Sequence, residues 1–360
     1  TRRILCYSKF SLNTKGGFLM KKYTDYILTQ AKNLLDIDSP SGFTEKVKDY
    51  LLAEYRSFGY HPKETVKGGV LVDLGGEDDG LLLAAHVDTL GAMVAEIKSN
   101  GRLRLTNVGG MMPQNAETEN CRVYTLDGRV YDGTCQLEDA SVHVNSKYRD
   151  TERNYDTIEV LLDEVVKSKE DVLALGIMNG SFVCFHPRTV LTPSGFIKSR
   201  FLDDKLSTAI LLGYAKYVKE EQVVLPRKVY QHITVFEEVG HGGCASVPSD
   251  VTEFLSVDMG CVGKGLECTE QQVSICVKDN GGPYHYHVVK KLIETARREG
   301  IDFAADIYPH YGSDADAALS AGADVRHGLI GPGVYASHGY ERSHRDGEEN
   351  PLTLIAAYLS

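Results

Sequence analysis

Short apolar runs that each lead to a metal-type side chain constrain this chain more than any other feature. The run Leu81-Leu82-Leu83-Ala84-Ala85 leads to His86 and Asp88, and the run from Val229 to Phe236 leads to Glu237-Glu238. Phe254-Leu255-Ser256-Val257 leads to Asp258, and His338 follows a glycine-rich segment from Gly328 to Val334. A further acidic pair stands at Asp203-Asp204. Runs of this kind read as buried strands. In an open α/β sheet, ligands bind outside the carboxyl ends of the strands, which is where His86, Glu237, Glu238 and Asp258 leave their runs. One sheet edge can therefore gather residues that are far apart in the chain.

The surrounding pattern supports such a sheet. From Tyr23 to Phe58 apolar residues recur at helical spacing, interrupted by the breaker cluster Ser39-Pro40-Ser41-Gly42. Val70–Leu74 and Leu81–Ala85 are strand candidates, and alternation of strands with helices predicts an α/β fold of parallel character. Between Gly91 and Pro193 the pattern turns β-rich, with Asn100-Gly101, Asp127-Gly128 and Asn179-Gly180 read as two-residue hairpin turns in which both turn residues take positive φ. After Pro193 the α/β pattern resumes with a helix over Lys205–Lys219 and strands at Val229–Phe236, Phe254–Val257, Val273–Val277 and Ile301–Ile307. A helix is expected from His285 to Glu299, stopped by Gly300, and a closing one over Leu352–Leu359. This divides the chain into a catalytic α/β domain, residues 20–90 and 193–360, and an inserted small barrel or sandwich, residues 91–192. Residues 1–19 are basic, contain no acid and precede Met20-Lys21-Lys22. They lack the apolar stretch of a signal peptide and are set aside as an extension.

Composition excludes several partners. A formal net charge of −11 argues against nucleic acid and against an anionic membrane surface, and no run approaches the roughly 18 apolar residues of a membrane span. The eight cysteines are scattered without a CxxC pair, which fits reduced core thiols in a cytosolic protein.

The site residues have chemistry beside their bland readings. His86 and Asp88 stand two apart, on one face of an extended strand, so that Asp88 could orient His86 by accepting its second ring proton. Asp203-Asp204 could instead serve the N-terminus of the following helix, and Asp258 could simply end a strand. Glu237-Glu238 is more specific: it follows a strand-like run and precedes Val239-Gly240. Two adjacent carboxylates suit two tasks, one holding a metal and one accepting a proton from water. His285 and His287 form a competing metal pair or an exposed helix start. Asp314 and Asp316 are candidates for binding a substrate α-amine, or for a helix cap with Ser313. Two imidazoles with several carboxylates suit zinc, cobalt or manganese.

The ordered set His-x-Asp, Asp-Asp, Glu-Glu-Val-Gly, Val-Asp and a late His resembles the tetrahedral aminopeptidases, the metallopeptidases that include the glutamyl and deblocking aminopeptidases. The resemblance runs from Met20 nearly to the C-terminus. It implies a phosphorylase/hydrolase-like mixed sheet flanked by helices with an inserted PDZ-like β-barrel, and a cytoplasmic enzyme that removes N-terminal residues from peptides. It implies two divalent ions, zinc first, one held by His86, Asp203 and Asp258 and the other by Asp203, Glu238 and His338. Glu237 would be the general base and Asp88 the orienter of His86. The barrel would build homodimers that assemble into a tetrahedral dodecamer. Family members often carry Glu after His-x-Asp, Arg after the acidic pair and Ser-Pro after the last His, where this chain has Thr89, Lys205 and Gly339-Tyr340. Those differences bear on the substrate pocket and the preferred metal, since the ligand set is intact. A carboxypeptidase or N-acyl amino acid deacylase on the same scaffold is the alternative enzyme. A peptide-binding homologue without turnover is the alternative outside catalysis.

Overall fold

The structure, a computed structural model, describes residues 15–360, with side chains from Met20 onward. Most of the extension assigned to residues 1–19 lies outside that range, but the first helix, Lys15–Leu35, begins inside it. The second helix is Glu45–Ser57. The breaker cluster between them carries Gly42 at φ 90.

A 12-stranded mixed sheet forms the frame. At its centre Val229–Thr234, Gly80–His86, Val251–Val257 and Arg326–Tyr335 lie side by side, all parallel. Gly80–His86 is buried at every residue, as a strand covered by helices on both faces must be. The antiparallel strand Val70–Gly75 flanks this group. On one face the helix Leu202–Glu220, almost wholly buried, is sandwiched between the sheet and Lys15–Leu35. The helices Tyr286–Glu299 and Arg345–Tyr358 complete the cover. The closing helix thus starts before Leu352. The glycine-rich segment is the long central strand itself. A Cβ on Gly331 would lie 1.7 Å from the Asp258 carbonyl oxygen, so only glycine fits.

The β-rich insertion is a closed barrel in the order Gly91–Ile97, Leu103–Val108, Ile158–Leu162, Val130–Leu137, Asn120–Tyr124 and Phe182–Phe185, antiparallel throughout. Val190–Leu191, read as part of the insertion, pairs instead with Phe196–Ser199 in the large sheet. Asn100-Gly101 and Asp127-Gly128 do join paired strands, but only the glycines have positive φ, 81 and 85. Gly101 N–H bonds Lys98 O and Gly128 N–H bonds Thr125 O. Each loop is longer than two residues, and its first turn asks for positive φ at glycine alone. Asn179-Gly180 is no hairpin. It turns the chain between the helix Lys169–Ala174 and the last barrel strand, and a turn dipeptide does not report which elements it joins.

Charged pairs fasten the barrel to the α/β domain. Arg122 grips Asp38 with two bonds of 2.6 Å, and Arg200 bonds Glu119 at 3.0 and 2.9 Å. Among the described residues no helix is long and apolar enough to cross a membrane.

Candidate metal centre

The parallel strands deliver their terminal residues to one edge. His86 is the last residue of its strand, Asp258 follows Val257 directly, and Glu237 and Glu238 occupy a 3-10 turn after Phe236. Asp203 stands at the start of the helix Leu202–Glu220, where the backbone departs from helical angles and the Asp203–Asp204 peptide is cis. His338 lies in the loop after Tyr335, with φ 62.

Two groups of three ligand-type side chains result, and they share Asp203. In His86, Asp203 and Asp258, and again in Asp203, Glu238 and His338, one ligand atom per residue lies within 4.8 Å of the others. His86 Nε2 is 3.1 Å from Asp203 Oδ1, and His338 Nε2 is 3.5 Å from both Asp203 Oδ2 and Glu238 Oε2. His285 and His287 join no such group among the described residues. His285 directly precedes the helix Tyr286–Glu299 without a capping bond from its side chain, and the two rings stand 5.7 Å apart.

The partners of these groups explain their aim. His86 Nδ1 donates to the main-chain carbonyl of Asp88 at 2.9 Å. A carbonyl only accepts, so Nδ1 carries a proton and Nε2 is the nitrogen turned to the cleft, available to a cation that displaces its proton. The Asp88 carboxylate stands farther off, at 3.6 Å. It accepts instead from the Glu237 and Glu238 amides, at 3.1 and 3.3 Å, and from Ser41 Oγ at 2.5 Å. Asp88 thus orients His86 through its main chain and the acidic pair through its side chain. Asp204 turns inward, where Oδ2 accepts from the His86 amide at 3.3 Å.

Lys205 is buried and donates to Leu34 O at 2.9 Å and Ile37 O at 2.6 Å. Burial, partly offset by Asp38, holds its ammonium down to about 8. Asp314 is committed to Gly243 N–H at 2.6 Å and to Thr234, and Asp316 Oδ2 accepts from the Ser313 amide at 3.1 Å at the start of the helix Asp314–Ser320.

Glu341 was not legible beforehand. It is buried, and its carboxylate accepts from the Asp203 amide at 3.1 Å and the His338 amide at 2.9 Å. An acid that serves main-chain amides leaves no pattern in a sequence; its place three residues after His338 was the only clue.

The charge balance of the edge favours cations. Burial, then the neighbouring carboxylates, pushes the proton affinity of Glu237 and Glu238 well above the usual range. Asp258 is pushed up to about 7 by burial and by Asp203. Burial disfavours a charged His86, yet Glu237, Asp203 and Asp88 outweigh it and raise its affinity well above the usual imidazole range. Glu238 Oε1 is buried without a hydrogen-bond partner. Crowded acids, two inward imidazoles and an unpartnered carboxylate oxygen are what divalent cations satisfy.

A cleft of about 480 Å³ opens over this edge. Asp203, Glu237, Glu238, Asp258 and His338 form its floor, and Asp314 and Asp316 stand on its wall. Among the described residues no lysine or arginine lines it.

Residues 68–354 match the family described as M42 glutamyl aminopeptidase. The chain is 44% identical to "Putative aminopeptidase YhfE" of Bacillus subtilis (strain 168), over 91% of this chain and 95% of that protein. Its fold is shared with the TET aminopeptidase of a marine sediment archaeon, Thaumarchaeota archaeon SCGC AB-539-E09, at TM-score 0.85 and 18% identity, covering 93% of this chain and 96% of the other. It is shared too with the TET1 peptidase of Pyrococcus horikoshii, described as assembling into a tetrahedron or a large octahedral shell. That match has TM-score 0.82 and 23% identity and covers 92% of this chain and 99% of the other.

Proposed function

The chain belongs to the M42 glutamyl aminopeptidase family of metal-dependent peptidases, and from that premise we propose that it is an aminopeptidase working through two divalent ions. His86, Asp203 and Asp258 would hold one, and Asp203, Glu238 and His338 the other, zinc first with cobalt or manganese accommodated by the same donors. When bound, the ions polarise the scissile carbonyl and acidify a water.

The remaining work falls to the chain's own groups. Glu237 belongs to neither ligand group, yet its Oε2 lies 3.6 Å from His86 Nε2 and it lines the cleft floor. It is the carboxylate free to take the proton of the attacking water and pass it to the leaving amine nitrogen. Asp88 fixes the Glu237 and Glu238 amides, so base and ligand keep their spacing. The α-ammonium of the substrate goes to the acidic wall. Asp316, partly exposed, is better placed there than Asp314, whose two oxygens are committed.

The observation that carries this reading is the pair of ligand groups sharing Asp203 under a cleft that no lysine or arginine of the described residues lines. A carboxypeptidase must neutralise a terminal carboxylate, and this wall offers acids. The same lining disfavours an N-terminal Glu or Asp. A panel of fluorogenic aminoacyl amides, free and N-acylated, tests the reading with zinc, cobalt or manganese added. Hydrolysis of the free amides alone is expected; hydrolysis of the acylated ones alone would move the protein to the deacylases.

We further propose that the barrel mediates self-association in a cytoplasmic protein, ultimately as a tetrahedral dodecamer built from dimers. Support comes from exposed apolar side chains on the insertion, Leu126, Val130 and Val165 among them, and the seven described cysteines, all free, fit a reducing compartment. Light scattering on the purified protein decides the assembly, and a monomer at all concentrations would refute it.

A further inference from the structure

The chain leaving the barrel strand Leu103–Val108 passes directly against Glu238 and His338. A Cβ on Gly110 would lie 2.7 Å from His338 Nδ1 and 2.8 Å from its Cε1. A Cβ on Gly109 would lie 3.3 Å from that of Glu238 and 2.8 Å from Leu90 Cδ2. The barrel main chain is therefore the wall behind the imidazole whose Nε2 faces Asp203 and Glu238. A little farther on, Asn115 Nδ2 donates to the His338 carbonyl at 2.9 Å. From the opposite side Glu341 accepts from the His338 amide at 2.9 Å and ties it to Asp203. His338 needs such support: its side chain is 40% exposed and its backbone is left-handed, unlike that of His86, which is fixed within a strand.

We propose that the inserted barrel is part of the metal centre. Gly110 and Asn115 from the barrel, with Glu341 from the catalytic domain, are positioning residues that hold His338 where the second ion needs it. The inference rests on the two-ion reading above. Glycine at 110 is required by proximity alone, because Gly110 is outside the left-handed region. Any side chain there pushes the imidazole off its line to Asp203 and Glu238, whereas no atom of His86, Asp203 or Asp258 is among the nearest to a Cβ at Gly109 or Gly110.

Equilibrium dialysis against zinc or cobalt, with bound metal counted per subunit, tests it. The unmodified protein should bind two ions. Gly110→Ala should keep one at unchanged affinity and bind the other roughly 10- to 100-fold more weakly, the range for lost ligand orientation. Asn115→Ala, which removes a bond to His338, should shift the same ion in the same direction, which keeps the test available if Gly110→Ala folds poorly. Added to His338→Ala, Gly110→Ala should cost no further metal, because it acts through the imidazole. Equal weakening of both ions, or an additive loss in the double variant, would overturn the proposal. So would a Gly110→Ala protein that binds both ions normally. An unmodified protein that binds one ion would overturn the two-ion reading itself.

Discussion

The two ligand groups that share Asp203 are built differently. His86 ends one strand and Asp258 directly follows the adjacent parallel one; they are 2% and 5% exposed, His86 pairs with Thr234 in the sheet, and the Asp258 amide bonds Ile330 O. Glu238 and His338 come from a 3-10 turn and a loop, and are held by Asp88, Glu341 and the barrel. A strand end places a ligand by the same hydrogen bonds that make the sheet. A loop places one only through contacts added around it. The sheet-built group should thus be the rigid half of the centre and the loop-built group the adjustable half.

Glu237 sets the scale for that contrast, since it belongs to neither half. Glu237→Gln should lower kcat by roughly 10²–10⁴ while elemental analysis still finds both ions; loss of metal would make Glu237 a ligand. The comparison itself breaks or holds with His86→Ala and His338→Ala. Each should weaken one ion by more than about 100-fold, above the range for losing a supporting group. His86→Ala should release the ion of the strand-built group and His338→Ala the other, and cobalt absorption separates the two. Identical spectra from both variants would erase the distinction.

Asp88 touches both halves, its carbonyl on His86 and its carboxylate on the Glu237 and Glu238 amides. Asp88→Asn keeps the carbonyl but replaces one accepting oxygen with a donor. A loss of about 10- to 100-fold in affinity should fall on the Glu238 side. Equal losses on both sides would mean that the carboxylate steers His86 as well.

The smallest effect on the reaction is expected at His232, buried in the strand that leads to Glu237. Burial, then Lys67, holds its ring down to about 4. An unfolded imidazole takes a proton near pH 6.5, so between pH 6.5 and about 4 the unfolded chain binds a proton that the folded chain refuses. Stability therefore falls as the pH drops through that window, by about 3 kcal/mol from this residue. Urea titrations of metal-free protein should show this slope, and His232→Gln should reduce it while leaving turnover at neutral pH unchanged.

Much of this was legible beforehand, and the reason is periodicity. Strands buried on both faces need apolar runs, so Leu81–Ala85 and Phe254–Val257 announced the strands Gly80–His86 and Val251–Val257 and carried His86 and Asp258 with them. Glu237-Glu238 was legible because an acidic pair at the end of such a run has few structural uses. Turn dipeptides were less informative: Asn179-Gly180 encodes a local bend, and whether strands pair across it is decided by what folds before and after.

The sequence by itself determined the α/β class, the parallel centre of the sheet and which side chains could carry metal chemistry, because those follow from local pattern and residue type. Only the tertiary structure decided how the candidate ligands are held. The barrel turn at Gly109-Gly110 meets Glu238 and His338 across more than a hundred residues of chain. Glu341 joins the amides of Asp203 and His338, and Asp88 divides its main chain and side chain between two ligands. Contacts between distant segments depend on how sheet and barrel dock, and no local periodicity records them.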